Sequence, residues 1–134
     1  MKVALVGLGY LGSAYARVYQ DAVMYDEPQN FLRVPNDDPI VDFKAYKVGK
    51  AKTDDPQQCT HKFAKAEVNS CDVAIIAVPT DPLPDGSLDM SIVESVVKWV
   101  NTPLIIIKSA LMPGTVERLV KKTGKRIAVS VGIS

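Results

Sequence analysis

Apolar residues along this chain keep two periods, and the two alternate. Val3-Ala4-Leu5-Val6, Val73-Ala74-Ile75-Ile76-Ala77-Val78 and Leu104-Ile105-Ile106-Ile107 are apolar without a break. Runs of this kind predict strands of a parallel sheet, covered on both faces. Val23-Met24-Tyr25, closed by Asp26, predicts another strand, and Ile127-Ala128-Val129-Ser130-Val131 a last one. Between them the spacing changes to that of a helix with one apolar face. Leu11, Ala14, Tyr15, Val18 and Tyr19 make one such face. Ile92, Val93, Val96, Val97 and Val100 make a second, on a helix that Asp89 or Ser91 is placed to cap. So many β-branched residues give that helix a poor intrinsic propensity, so packing has to hold it. Val116, Leu119 and Val120 make a third face, with Lys121 and Lys122 suited to the helix C-terminus and Gly124 to its end. Alternating strands and helices predict an α/β fold built on a doubly wound parallel sheet.

The stretch from Glu27 to about Ser70 breaks this rhythm. Pro28, Pro35, Pro39 and Pro56 interrupt any long element. Val41, Phe43 and Ala45 alternate with Asp42 and Lys44, which predicts a short exposed strand. A helix is predicted from about Asp55 to Ala66, with Pro56 in its first turn. Cys59 and His61 lie here; a nucleophilic Cys59 would need an activating neighbour that the sequence does not supply, so both are read as structural or surface residues. Cys71 is expected to be buried packing, and Trp99 to pack against the sheet or a neighbouring domain.

Composition narrows the class. At 134 residues the chain is expected to be a single domain with a real core, and 47% hydrophobic with 23% charged residues describes a soluble protein. A net charge of +1 gives no support for a nucleic-acid or membrane partner. No signal peptide or bilayer-length apolar run is present, and Cys59 and Cys71 form neither a C-x-x-C pair nor a zinc set with His61. A cytoplasmic setting and no metal site are expected.

The first strand runs straight into Gly7-Leu8-Gly9-Tyr10-Leu11-Gly12. This G-x-G-x-x-G turn lets a strand pass into a helix against a pyrophosphate. Gly7 permits the tight turn, Gly9 lets backbone approach the phosphate, and Gly12 lets helix pack on strand. Amides at the helix start then face the anion. Asp26 follows the first glycine by about 20 residues, the offset at which an acid accepts from the adenosine ribose hydroxyls. A carboxylate there repels a 2′-phosphate, and no Arg or Lys stands beside it, so NAD is favoured over NADP. The plainer alternative is that Asp26 caps a loop. In such sheets ligands bind at the carboxyl ends of the strands, so one edge should gather the glycine turn, Asp26, Pro79-Thr80 and Ser109.

With Val78-Pro79-Thr80, Asp85-Gly86-Ser87-Leu88-Asp89, Lys108-Ser109 and Pro113-Gly114-Thr115 in order behind the glycine turn, the chain resembles the Rossmann-type NAD-binding N-terminal domain of the UDP-glucose/GDP-mannose dehydrogenases. That resemblance implies a family that oxidises a sugar C6 alcohol to a carboxylate in two NAD-dependent hydride transfers. It implies that a cysteine in a separate sugar-binding half traps the aldehyde. It further implies that Gly9, Tyr10, Leu11 and Asp26 hold the dinucleotide, that Val78, Pro79 and Thr80 line its adenosine-to-nicotinamide side, and that Ser109 lies toward the nicotinamide. Ala110 stands where the family usually has threonine, and the catalytic glutamate, cysteine motif and sugar-binding half are not in this sequence. No catalytic residue is therefore assigned. The expected partner is NAD(H), with a nucleotide sugar only where the other half is supplied; a homodimer is compatible with the resemblance. Two other readings are a non-catalytic dinucleotide-binding module and the NAD half of a β-hydroxyacid-type dehydrogenase. Pro79-Thr80 and Pro113-Gly114-Thr115 argue against the last.

Overall fold

The computed structural model describes residues 1–9, 12, 14, 15, 18, 19, 21–28, 31–34, 44–47 and 64–130. Its strands are β1 (Val3–Val6), β2 (Val23–Asp26), β3 (Phe31–Val34), β4 (Lys44–Lys47), β5 (Val73–Ile76), β6 (Leu104–Ile107) and β7 (Ile127–Val129). Two helices, α1 (Ser91–Trp99) and α2 (Thr115–Thr123), bridge β5 to β6 and β6 to β7. Residues 12, 14, 15 and 18, and the segment 64–69, are also helical. The expected helix around 55–66 lies outside the described residues up to position 63, as do Cys59, His61 and the Val41–Phe43 part of the expected exposed strand. The described part of that strand, Lys44 and Ala45, falls in β4, which runs on to Lys47.

The seven strands form one sheet in the order β4-β3-β2-β1-β5-β6-β7. From β2 to β7 every neighbouring pair is parallel. The register sets Leu5 between Met24 and Ile75, and Ile75 beside Ile106. Alternate residues of each run therefore build two cores, which is why the runs are apolar throughout. Ala4, Val6, Tyr25, Ile76 and Ile107 face a large core closed by Ala64 and Val68, by Val93, Val96, Val97 and Val100 around α1, and by Leu119 of α2. Leu5, Met24, Val73 and Ile75 face a smaller core with Ala22 and half-buried Tyr15. Helices on both faces make the sheet doubly wound.

The sheet departs from all-parallel at one edge. β3 pairs antiparallel with β2, and β4 antiparallel with β3. Only residues 27–30 separate β2 from β3, whereas a parallel return needs a crossover of about a dozen residues. A hairpin is the only return so short a link allows.

Some inward assignments fail. Val18 is 73% exposed and Tyr19, Val120 and Ile92 are also open to solvent. The buried stripes are narrower than the expected helix faces, because residues at the margins satisfy the spacing without being buried. Ile92 instead lines the cleft described below.

The C-terminal end of α1 is held by side chains from elsewhere. Lys125 Nζ donates to the carbonyls of Val97, Lys98 and Val100 at 2.7, 2.9 and 2.7 Å. Asn69 donates through Nδ2 to the Trp99 carbonyl and accepts from the Asn101 amide. Carbonyls that a helix end leaves unpaired are thus satisfied. α2 ends as predicted, with Gly124 left-handed and its N–H bonded to the Val120 carbonyl. At the start of α1, Asp89 Oδ1 accepts the Ser91 amide from one residue outside the cap position, which Met90 occupies.

Cys71 is buried at 3% exposure, as expected, and burial pushes its thiol pKa up. Below the shifted pKa it is a thiol, and thiols are poor nucleophiles. In a Cys59→Ser background, Cys71 should react with a disulfide reagent at pH 8 at least about tenfold more slowly than a free thiol, and at the free rate in denaturant. Equal rates in the two conditions would contradict the burial.

Candidate functional site

The chain leaves β1 for β2, β3 and β4 on one side, then returns to place β5 on the other side of β1. At that reversal the carboxyl ends of β1 and β5 diverge into a crevice, the place where open α/β sheets bind ligands. Gly7 follows β1 there, with φ +94° and its N–H donating to the Tyr25 carbonyl at 2.8 Å. A Cβ on Gly7 would sit 2.8–2.9 Å from the backbone of Ala77 and Val78, just past β5. A Cβ on Gly12 would sit 1.8 Å from the Gly7 carbonyl oxygen. Both glycines are thus needed for backbone-to-backbone contact. Gly9 differs: a Cβ there would meet nothing within 4 Å. It faces open space.

Asp26 ends β2 and is buried, at 6% exposure. Its Oδ2 accepts the Leu8 amide at 2.7 Å. The acid is therefore bonded to the glycine turn itself, across two adjacent strands. The loop-cap alternative is met in part, since the carboxylate does satisfy a loop amide, but that loop is the glycine turn.

A cleft of about 540 Å³ opens over this junction, within the usual range of small-molecule sites. Its floor is Val6, Gly7, Gly9, Val78 and Pro79; Tyr25, Asp26, Glu27 and Pro28 form one wall, and Ser91, Ile92, Ser95, Val96 and Trp99 of α1 the other. Trp99, expected only to pack, also lines the cleft, with its ring edge-on to Tyr25 at 5.7 Å between centroids. Burial, reinforced by the Glu27 and Asp26 carboxylates, pushes the Tyr25 phenol far up, so it stays protonated and bonds the Glu27 side chain. Ser91, Ile92, Ser95 and Trp99 were missed as cleft residues. Their spacing of one, three and four puts them on a single helix stripe, a signal that mixed polarity disguised.

Of the sequence-predicted residues, Gly7, Gly9, Asp26, Val78 and Pro79 come together in the cleft lining, and Gly12 lies directly beneath Gly7. Tyr10 and Leu11 lie outside the described residues. Thr80 is half-buried just past Pro79 and outside the lining. Ser109 is buried and outside the lining, its hydroxyl donating to the Val78 carbonyl at 2.6 Å. The later motifs touch each other as well. The loop from Asp81 to Asp89 closes on itself through Leu83–Ser87 and Asp89–Asp81 backbone bonds, and the Leu88 amide reaches Met112 Sδ. Lys108 Nζ lies 5.2 Å from the Tyr15 ring centre and donates to Ser130 Oγ. Among the described residues no three His, Cys, Asp or Glu side chains gather as a metal site requires, and no helix is long and apolar enough to cross a membrane.

The family model for the UDP-glucose/GDP-mannose dehydrogenase family, NAD binding domain, matches residues 1–133. No curated protein sequence matches. Among solved structures the chain is similar to a ternary complex of GDP-mannose dehydrogenase from Pseudomonas aeruginosa, with 19% identity and a TM-score of 0.58 over 96% of this chain and 35% of that one. It is similar to a UDP-glucose dehydrogenase from the hyperthermophilic archaeon Pyrobaculum islandicum at 23% identity and TM-score 0.57, covering 96% and 34%. A UDP-D-ManNAc dehydrogenase from Pyrococcus horikoshii gives 23% identity and TM-score 0.58, covering 99% and 37%. These likenesses establish the fold, and the chain spans about a third of the length of each.

The two glycine environments separate by substitution. Gly12→Ala should destabilise the fold by about 1–3 kcal/mol, the scale of overpacking, because the clash is with backbone. Gly9→Ala should change stability by no more than about 0.5 kcal/mol. Urea unfolding of both variants checks this; equal losses would mean that Gly12 is not in close contact.

Proposed function

The chain belongs to the UDP-glucose/GDP-mannose dehydrogenase family as its NAD-binding domain, and on that premise we propose which atoms hold the cofactor and which reaction it serves. The observation that supports the assignment is the Asp26–Leu8 bond, which holds the Asp26 carboxylate beside the glycine turn in the same cleft, where it would read the ribose. The residues present fit a dinucleotide: the space in front of Gly9 would be filled by any side chain, and a pyrophosphate can take it. Backbone amides of the turn, including those of Tyr10 and Leu11, bind the phosphates. Asp26 accepts from the adenosine ribose hydroxyls. Val78, Pro79 and Thr80 line the path toward the nicotinamide. Ser109 acts through the Val78 carbonyl, holding the floor of the cleft in place.

NAD, when bound, supplies the hydride acceptor. The reaction it serves, in our proposal, is oxidation of the C6 alcohol of a UDP-sugar of the UDP-glucose type to the carboxylate, in the cytoplasm. The described residues contribute binding and orientation to that reaction, and positioning supplies much of the barrier reduction in such transfers. The sugar and the groups that move its alcohol proton are held by the remaining two thirds of a protein of the relatives' length, so a nucleotide sugar is a partner of the whole enzyme. A homodimer belongs to the same proposal.

Calorimetry with NAD and NADP tests the cofactor assignment, and tighter binding of NADP would overturn it. Asp26→Ala should weaken NAD binding by roughly 1–3 kcal/mol, the scale of hydrogen bonds to a charged group, and narrow the preference. Gly9→Val should abolish NADH binding while the unfolding transition stays cooperative, since the added side chain meets ligand and not protein. NADH fluorescence enhancement that persists in this variant would move the phosphate site away from the glycine turn.

A further inference from the structure

Just beyond Asp26, outside the cleft lining but against two of its residues, stands a cation that the sequence did not reveal. Lys65, from the helical segment 64–69, has Nζ 3.9 Å from Glu27 Oε2 and 5.3 Å from the centre of the Trp99 ring. Glu27 and Trp99 both line the cleft. Lys65 and Glu27 are partly open to water, with side chains 32% and 50% exposed, so the ammonium is held at the surface and can be redirected. Glu27 also neighbours the Tyr25 phenol, whose pKa its carboxylate helps to push up.

We propose that Glu27 is a specificity-determining residue, one that keeps Lys65 from serving as a 2′-phosphate site at the adenosine end of the cleft. This rests on the reading of the cleft as the dinucleotide site. A 2′-phosphate would project from the ribose that Asp26 reads toward the next residues of the chain, Glu27 and Pro28. Among the described residues it meets there the Asp26 and Glu27 carboxylates and the Lys65 ammonium, which Glu27 pairs. Neutralise Glu27 and one negative charge leaves that wall, with the Lys65 ammonium available to the phosphate. Among the described residues, Asp26 then remains to oppose NADP. Charges about 4 Å apart near a protein surface interact strongly enough for a single residue to matter at this scale. Like-charge juxtaposition is a recurrent device for rejecting a competing ligand.

The test is a binding cycle with NAD and NADP on the wild type, Glu27→Gln, Lys65→Met and the double variant, by calorimetry at low salt. Glu27→Gln keeps the side chain's size and its capacity to bond Tyr25. It should raise NADP affinity about tenfold, or about 1.4 kcal/mol, while NAD affinity moves less than about twofold. Lys65→Met added to it should remove most of the gain, and the gain should shrink as salt rises. Glu27→Ser serves as the second variant if the glutamine form folds poorly. An unchanged NADP-to-NAD ratio with NAD binding intact overturns this inference alone. A gain that survives Lys65→Met also overturns it, since Glu27 would then act only by its own charge. A wild type that binds neither dinucleotide overturns the cleft assignment and this inference with it.

Discussion

Three backbones meet at Gly7, and the site exists because nothing but hydrogen lies between them. The turn after β1, the helix that includes Gly12 and the segment leaving β5 approach so closely that a methyl group at Gly7 or Gly12 would enter its neighbour's backbone. Backbone cannot step aside as a flexible side chain can, so this contact fixes how far the first helix and β5 stand from β1. Packing at interior density converts such a fixed distance into a fixed angle for everything outward of it. The crevice at the strand reversal inherits its shape from that junction. Gly9, two residues on, is spared the same contact and keeps its face open. One short turn thus contains both a structural joint and a vacant concavity, with different glycines responsible for each.

The Asp26 carboxylate adds a second link across the same junction. Its bond to the Leu8 amide ties the end of β2 to the turn after β1. A buried carboxylate without donors would be costly, and a loop amide without an acceptor would be too. Each resolves the other. A ligand that approaches the turn therefore meets the acid already oriented, and no ordering of a loose side chain is charged against binding.

Much of this was legible in the sequence, because the signals were strong where structure leaves no choice. Unbroken apolar runs demanded strands covered twice, and the structure has them in parallel register between helices. Glycines at three spaced positions demanded a tight junction, and two of them are sterically obligatory. The β2–β3–β4 hairpin was less legible. Phe31 to Val34 offers no alternation around Arg33 strong enough to stand out, and its strand state comes from pairing with β2. The helix margins at Val18, Val120 and Ile92 are not legible, because periodicity defines a stripe but not its width. The adenosine-end cluster was invisible for another reason. Lys65 meets Glu27 and Trp99 across long sequence separations, and only the fold brings them together.

α1 shows why fold and site cannot be separated here. One stripe of the helix, Val93, Val96 and Val97, is buried in the larger core; an adjacent stripe, Ser91, Ile92, Ser95 and Trp99, walls the cleft. Its β-branched residues disfavour helix on their own, so its conformation depends on the core beneath it. Its far end depends on Lys125 and Asn69, whose bonds to the last carbonyls come from outside the helix. Arg118 of α2 pairs with Glu94 on its exposed side. The wall of the cleft is therefore set in part by groups outside the cleft lining. Substitutions at Lys125 or Asn69 would be felt at Trp99 through the position of the helix, as one at Ser109 would be through the Val78 carbonyl. Cleft geometry in this chain is a property of the packed sheet and helices as a whole, with the Gly7 junction as its fixed point.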